Sequence, residues 1–273
     1  MEGQESEERP LLIEREEGFI KLTLNRPKRL NSFNLALHEA MQQALIECET
    51  ATSCRVVLIT GAGRAFCAGQ DLSDPSVSAA EGALPDLAVT LERFYNPMVR
   101  RIRAMNKPVI CAVNGTAAGA GANLALACDI VLASSKAKFL QPFNKIGLIP
   151  DTGGSWTLTR LVGEARAKGL TLLGRPITAQ HAYDMGLIWS VVEPDALMDA
   201  AMALVHELRV APTFGLALTK QAIHAAATNT LDQQLDLERD LQQRAGRSPD
   251  YQEGVAAFFE KRPPTFTGQE PER

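Results

Sequence analysis

The sequence predicts an α/β domain that hands over to a helical region. Three observations carry this. Short continuous apolar runs, Val56–Thr60 and Val109–Val113, read as strands buried on both faces, as in a parallel sheet. Segments with helical spacing alternate with such runs, so the order strand–helix–strand repeats. Beyond Gly153 helical spacing dominates. The boundaries that follow are a disordered acidic N-terminus at 1–9, a βα core at 10–195, a helical region at 196–262 and an extended tail at 263–273.

Taken in order, Leu11–Arg15 and Phe19–Leu24 read as strands, with Glu16-Glu17-Gly18 as a hairpin turn. Asn25–Asn31 is a loop carrying Arg26, Lys28 and Arg29, either a solvated turn or a phosphate contact. Asn34 suits the N-cap of a helix over 35–51 whose apolar face is Leu37, Met41, Leu45 and Ile46. Residues 73–88, rich in Ser, Ala, Gly and Pro, suggest a lid or pocket wall. A helix over 89–105 ends at Asn106-Lys107-Pro108. A short helix of small residues is expected at about 119–127, and strands at Asp129–Ala133 and Ala137–Leu140. Helices then follow at 154–162, 163–172, 178–185, 196–209, 213–227, 230–245 and 249–260, with Ile188–Val192 as a strand among them.

Composition narrows the function classes. At 45% hydrophobic and 22% charged, the 273-residue chain has material for a large core. A net charge of −4 gives no basis for nucleic acid or an anionic membrane as the main partner. No apolar stretch reaches the about 18–20 residues that span a bilayer. The acidic, polar N-terminus is unlike a leader peptide, so a soluble cytoplasmic protein is expected. The five cysteines form no C-x-x-C pair, which fits a reducing compartment. Cys67 lies beside a glycine turn, but no histidine is near it in sequence to activate it. His38, His181, His206 and His224 fall within helical patterns as packed or surface residues.

Three segments look like one site: Gly63–Leu72, Asn114–Asn123 and Gly147–Gly154. Each joins an extended run to a turn rich in small residues. Such residues let backbone approach a ligand and leave N–H groups to point at it. Two turns can offer N–H donors to one developing oxyanion, and the third brings the carboxylate of Asp151. Asp151 also fits a helix N-cap, and both readings stand at this point. Asp71 shares that ambiguity, with a structural or backbone role favoured. Gly119-Ala120-Gly121 invites a dinucleotide reading, but the third glycine of that fingerprint would fall at Leu124. No glycine turn ends in Gly-Lys-Ser/Thr, and no cluster has metal-ligand spacing, so neither a cofactor nor a metal is expected.

Together these segments resemble the crotonase, or enoyl-CoA hydratase/isomerase, family, over about Leu11 to Phe266. The likeness rests on LNRPKRLNSFN at 24–34, GAGRAFCAGQDL at 61–72, PVICAVNGTAAGAGANLALACDI at 108–130, QPFNKIGLIPDTGGSWTLTRLVG at 141–163 and AFFEKR at 257–262. The resemblance implies a crotonase-like ββα spiral core with a helical C-terminal trimerisation region. It also implies acyl-CoA substrates, CoA being part of the substrate, and a homo-oligomer that is a trimer or a dimer of trimers. It places the thioester oxygen between the backbone N–H groups of Ala68 and Ala120. It brings the backbone of Ala68, Gly69, Gln70, Asp71 and Leu72, with Gly119, to the CoA chain. Lys28 and Arg29, with Phe258 and Lys261 of a neighbouring subunit, fall near the CoA phosphates and adenosine.

The departures from the family pattern bear on the reaction. The two glutamates of the family's hydratases fall at Asn123 and Phe143, so the pair that orients water is missing. Eight residues on stands Asp151, where the family's dienoyl-CoA isomerases and chlorobenzoyl-CoA dehalogenase carry an aspartate. One carboxylate suffices to lift a proton from one carbon and return it to another. Phe143, Leu148 and Ile149 are expected to raise the Asp151 pKa by desolvation. Segments 143–154, 212–223 and 229–258 are most similar to the family branch that acts on ring 1,2-epoxyphenylacetyl-CoA in aromatic degradation. That branch implies conversion to oxepin-CoA, alongside shifting of 3-enoyl-CoA double bonds to the 2-position. The alternatives are an enoyl-CoA hydratase, a dehalogenase or hydrolase with Asp151 as nucleophile, and a non-catalytic acyl-CoA-binding protein.

Overall fold

The computed structural model describes residues 9–75 and 85–271. Positions 1–8, and with them most of the disordered N-terminus expected, lie outside the described residues, as does the middle of the lid segment at 76–84. The large sheet has six strands in the order β1-β2-β3-β5-β7-β10. Strand β1 (Leu11–Glu16) pairs antiparallel with β2 (Gly18–Leu24), and the turn between them uses Gly18 at φ +81°. All further pairs are parallel: β2 with β3 (Cys54–Gly61), then β5 (Val109–Val113), β7 (Ile130–Ser134) and β10 (Ser190–Val192).

Both faces of this sheet are covered, which explains the unbroken apolar runs. Val57, Ile59, Cys111 and Val113 point into the main core with α1 (Leu35–Thr50). Val56, Leu58, Ile110 and Ala112 point the other way, onto Leu197, Ala201 and Val205 of α7 (Leu197–Leu208). Each fully buried aliphatic side chain contributes about 1.5–3 kcal/mol. Helix α1 is capped as its sequence predicts, Asn34 Oδ1 accepting from Leu37 N at 3.1 Å. Its buried face is Leu37, Met41, Ala44, Leu45 and Cys48; Ile46 turns outward, contrary to expectation.

A second sheet has four short strands in the order β4-β6-β8-β9; of these only β8 answers to an expected strand, Ala137–Leu140. It comprises β4 (Ala65–Cys67), β6 (Thr116–Ala118), β8 (Lys138–Leu140) and β9 (Ile177–Thr178). The chain therefore repeats one unit, a strand in each sheet and then a helix: β3–β4, β5–β6–α4 (Ala120–Ala127) and β7–β8–α5 (Gly154–Leu173). This is the ββα spiral that the family resemblance implies.

The helix expected at 89–105 starts earlier and is not regular. Short α2 (Leu87–Thr90) runs through a π turn, Leu91–Tyr95, into α3 (Asn96–Ala104). The wider turn puts the neighbours Phe94 and Tyr95 both in the interior. Helix α5 breaks at Gly163 (φ +77°), the division its two predicted segments imply. Helix α6 (Ala179–Asp184) leads to β10. Beyond α7, helices α8 (Thr213–Ala226) and α9 (Leu231–Ala245) share a small core of Phe214, Leu218 and Leu241. After α10 (Pro249–Glu260) the tail runs extended; Arg55 bonds the Phe266 carbonyl at 3.0 Å, and Asp250 accepts from Thr267 N and Gly268 N. Among the described residues no single helix is long and apolar enough to cross a membrane.

Candidate active site

The first two glycine turns meet backbone to backbone. Gly69 (φ +91°) has no room for a side chain: a Cβ there would lie 2.9 Å from Ala118 O and 3.4 Å from Ala120 N. A Cβ on Gly121 would come within 2.4 Å of Cys67 O. Small residues are thus required for the approach itself. Phe33 pairs with the first turn on one side, its N–H donating to Gly69 O (2.7 Å) and its carbonyl accepting from Asp71 N (2.8 Å). In extended chain successive peptide groups face opposite ways, so the N–H of Gln70 faces away from Phe33. Ala120 is the first residue of α4, and its N–H belongs to the first turn, which has no intrahelical acceptor. The α4 N-terminus adds a dipole favourable to negative charge.

This geometry corrects one expectation. The Ala68 N–H donates to Leu30 O at 3.0 Å and is not available to a substrate oxygen. Gln70 N–H, two residues on, faces away from Phe33 and has no acceptor among the described residues. Sequence reasoning missed it because the alternation is set by pairing with Phe33, a residue 37 positions away by number.

The third segment carries Asp151. Thr152 and Gly153 both take left-handed backbone, φ +53° and +75°, before α5 begins. A β-branched residue there is strained, and Thr152 is fully packed with its Oγ1 donating to Asp151 Oδ1 at 2.8 Å. The N-cap position belongs to Gly153, and it is the Asp151 carbonyl, not its carboxylate, that accepts from Gly154 N (2.7 Å). The cap reading of the side chain therefore fails. Burial raises the Asp151 pKa above the usual carboxylate range, and the Thr152 hydroxyl offsets part of this. Two of the three residues expected to shield Asp151 do not: Ile149 is 81% exposed and Leu148 also faces solvent. Phe143 is buried, its ring 3.5 Å from the point a Gly119 Cβ would occupy.

Asn123 links the second segment to the third. It is 1% exposed, its Nδ2 donates to Asp151 O at 2.8 Å, and its Oδ1 accepts from Gln141 Nε2 at 2.8 Å. A Cβ on Gly154 would lie 2.3 Å from that Nδ2, so glycine is needed there too. At the two positions where the resemblance places the hydratase glutamates, this chain has an amide that holds the Asp151 loop and a buried aromatic ring beside Gly119.

Around the turns, Asp71 pairs with Arg26 (3.0 Å) and accepts from Ser73 N and Oγ. Burial opposes its charge, but the Ser73 and Arg26 hydrogen bonds prevail and hold its pKa low, a structural role as favoured from sequence. That pair anchors the loop bearing Lys28 and Arg29, both exposed on a 3-10 turn. Leu72, next to Asp71 in sequence, is exposed. Phe258, 78% exposed, and Lys261 face solvent at the end of α10. Cys67 is fully buried and its thiol is pushed up to about 12, so it is no nucleophile. A separate cavity of about 680 Å³, lined by Arg103, Trp156, Arg160 and Lys220 among others, includes none of the glycine-turn residues. Chemistry rather than volume singles out the Asp151 site.

A sequence profile of the enoyl-CoA hydratase/isomerase family matches residues 14–269. The chain belongs to that family. Its crotonase relatives include the 1,2-epoxyphenylacetyl-CoA isomerase of Escherichia coli, 57% identical over 93% of this chain and 97% of the relative. The 2,3-dehydroadipyl-CoA hydratase of the same organism is 38% identical over 95% of this chain and 99% of its own length. The crystal structure of an enoyl-CoA hydratase from a Polaromonas species superposes with a TM-score of 0.87 at 37% identity, covering 94% of this chain and 99% of that one. Both hydratases and isomerases thus share the crotonase fold with this chain, and the choice between them falls to the residues at the site.

Proposed function

We propose that the protein is an acyl-CoA isomerase that converts ring 1,2-epoxyphenylacetyl-CoA to oxepin-CoA and shifts 3-enoyl-CoA to 2-enoyl-CoA. The observation that carries this is the desolvated carboxylate of Asp151 beside the glycine turns, with an amide and a phenyl ring at the two hydratase glutamate positions. The identity to the E. coli isomerase supports the ring substrate.

The thioester oxygen sits between the N–H groups of Gln70 and Ala120. Asp151 takes a proton from the carbon α to the thioester, and the electron pair moves onto that oxygen as an enolate. Donors already aimed at it need no reorganisation, and losing one such donor costs about 3–4 kcal/mol of barrier. For a 3-enoyl ester the same proton returns at the γ carbon, which leaves the conjugated 2-enoyl ester. For the arene epoxide, three electron pairs redistribute to open the shared ring bond and give the seven-membered oxepin, with no change in protons. The α-to-γ proton shift then fixes that ring as the conjugated product. One carboxylate thus serves both substrates, and no atom is gained or lost.

The same reading places the CoA phosphates near Lys28 and Arg29 and takes the C-terminal helices as a trimerisation surface. Leu231, Leu235, Phe258 and Phe259 are left exposed there, more apolar surface than a lone helical layer needs. Purified protein and Asp151→Asn, given enzymatically generated 1,2-epoxyphenylacetyl-CoA and a 3-enoyl-CoA, test the proposal by ultraviolet absorbance and mass spectrometry. Wild-type protein should convert both without mass change, and the variant should lose about 10²–10⁴-fold of that turnover. Products heavier by one water, or an Asp151→Asn variant that keeps near-wild-type turnover, would sink it.

A further inference from the structure

Gln70 is held from two sides. Its backbone neighbours, Gly69 O and Asp71 N, are bonded to Phe33. Its side-chain Oε1 receives two donors, Tyr95 OH at 2.8 Å and His38 Nε2 at 3.2 Å. A carboxamide oxygen has two lone pairs, and here both are used. The two donors and Phe33 belong to one packed aromatic unit. The His38 ring stacks on Phe94 (4.7 Å, 17°), meets Tyr95 edge-on (4.6 Å, 89°) and lies 4.8 Å from Phe33. The π turn at Leu91–Tyr95 is what brings Phe94 and Tyr95 inward together. Burial keeps His38 neutral, with a pKa of about 4. Facing an acceptor-only oxygen, its Nε2 carries the proton. The unit carries no net charge at neutral pH, and both of its donors are spent on Gln70 Oε1.

We propose that Tyr95 and His38 are positioning residues for the oxyanion hole: through the Gln70 side chain they fix the peptide plane whose N–H meets the thioester oxygen. This rests on the reading of Gln70 N–H as that donor. The Gln70 side chain contributes no group to the oxygen itself, so any effect of changing it passes through orientation. Position 70 therefore requires an acceptor of two hydrogen bonds, although the donor it presents to substrate is backbone.

Three variants and one probe test this. Tyr95→Phe removes one oxygen and keeps the ring packing. His38→Phe keeps the stack and removes the other donor. Gln70→Met keeps length and the backbone N–H but replaces the amide oxygen by a thioether, a far weaker acceptor. The probe is cinnamoyl-CoA, a conjugated thioester with no γ C–H to exchange, and its bound carbonyl stretch reports polarisation by the hole. Wild-type protein and Asp151→Asn should both lower that stretch relative to free ester. Each of the three variants should lose part of the lowering. Turnover of a 3-enoyl-CoA should fall about 10-fold in Tyr95→Phe and about 10²-fold in Gln70→Met at near-constant KM, because misaiming by a fraction of an ångström is costly at a preorganised site. If wild-type protein does not shift the stretch, the oxyanion-hole reading itself falls. If it does, and Tyr95→Phe and Gln70→Met shift it equally, the positioning role is overturned while the hole stands. A loss of turnover in folded variants with the full shift retained also overturns it.

Discussion

Replacing Asn123 by alanine tests the loop that holds Asp151. Two hydrogen bonds disappear at once. The bond to the Asp151 carbonyl is one of two that carbonyl accepts, since Gly154 N remains at 2.7 Å, so its loss costs about 0.5–1.5 kcal/mol. The bond from Gln141 Nε2 is different. Gln141 is buried and its Oε1 is already without a partner, so the amide nitrogen is left unsatisfied at about 1–3 kcal/mol. The sum is about 1.5–4.5 kcal/mol, which for a chain of this size lowers the melting temperature by roughly 3–18 °C. Catalysis should suffer separately. The Asp151 loop passes through strained backbone at Thr152, and with one tether gone it relaxes away from that conformation. A carboxylate misplaced by about 1 Å costs about 10²-fold in kcat. KM should change little, since Asn123 is buried beneath the loop and not exposed to a ligand. Thermal unfolding followed by circular dichroism gives the first number, and steady-state turnover of a 3-enoyl-CoA gives the second. An Asn123→Ala variant that melts within about 2 °C of wild type and turns over at the wild-type rate would refute the tether.

Three further outcomes follow from the same geometry. Because burial raises the Asp151 pKa, and the working base is the ionised form, kcat should rise with pH through an acid limb lying above the about 3.9 of a free aspartate; a limb at or below that value would contradict the burial. The linkage has a definite sign: the folded pKa is above the unfolded one, so ionising Asp151 destabilises the native state, and the penalty grows as pH rises from the unfolded toward the folded pKa. Asp151→Asn should accordingly melt higher than wild type at neutral pH, with the gap closing on acidification below both values, as urea melts at several pH values would show; a variant less stable at every pH would contradict this. Gly121→Ala should abolish the site and most soluble expression, because its Cβ would fall 2.4 Å from Cys67 O, a backbone atom; an active, well-folded Gly121→Ala protein would mean that the two turns do not meet as described.

The large sheet was legible because its central strands β3, β5 and β7 are buried on both faces, which prints continuous apolar runs such as Val56–Ile59 in the sequence. Of the second sheet only β8 was, within the strand expected at Ala137–Leu140. Strands of three residues or fewer carry no period, and Ala65–Cys67 and Thr116–Ala118 lie inside segments whose glycines and alanines read as turns. The π turn at Leu91–Tyr95 was hidden for a related reason: inserting one residue per turn is a property of packing, and Phe94 next to Tyr95 breaks the helical spacing that marks an apolar face. Ile46 shows the reverse error, an apolar residue at helical spacing that solvent nonetheless reaches.

At the site, residue types were legible and their pairings were not. Gly69, Ala120 and Asp151 could be picked out because close backbone approach demands small residues and acid–base chemistry demands a carboxylate. Which N–H is free depends on which is already bonded, and that is fixed by Leu30 and Phe33, supplied by a distant stretch of chain. The shift from Ala68 to Gln70 follows from this alone. It also explains why a polar side chain is accommodated beside an otherwise small-residue turn. Had the donor been Ala68, the Gln70 side chain would hold nothing that matters to the oxygen. With Gln70 as donor, the hydrogen bonds to Tyr95 and His38 act on the peptide that the chemistry uses, and the aromatic unit beneath the first turn becomes part of how the enolate is stabilised.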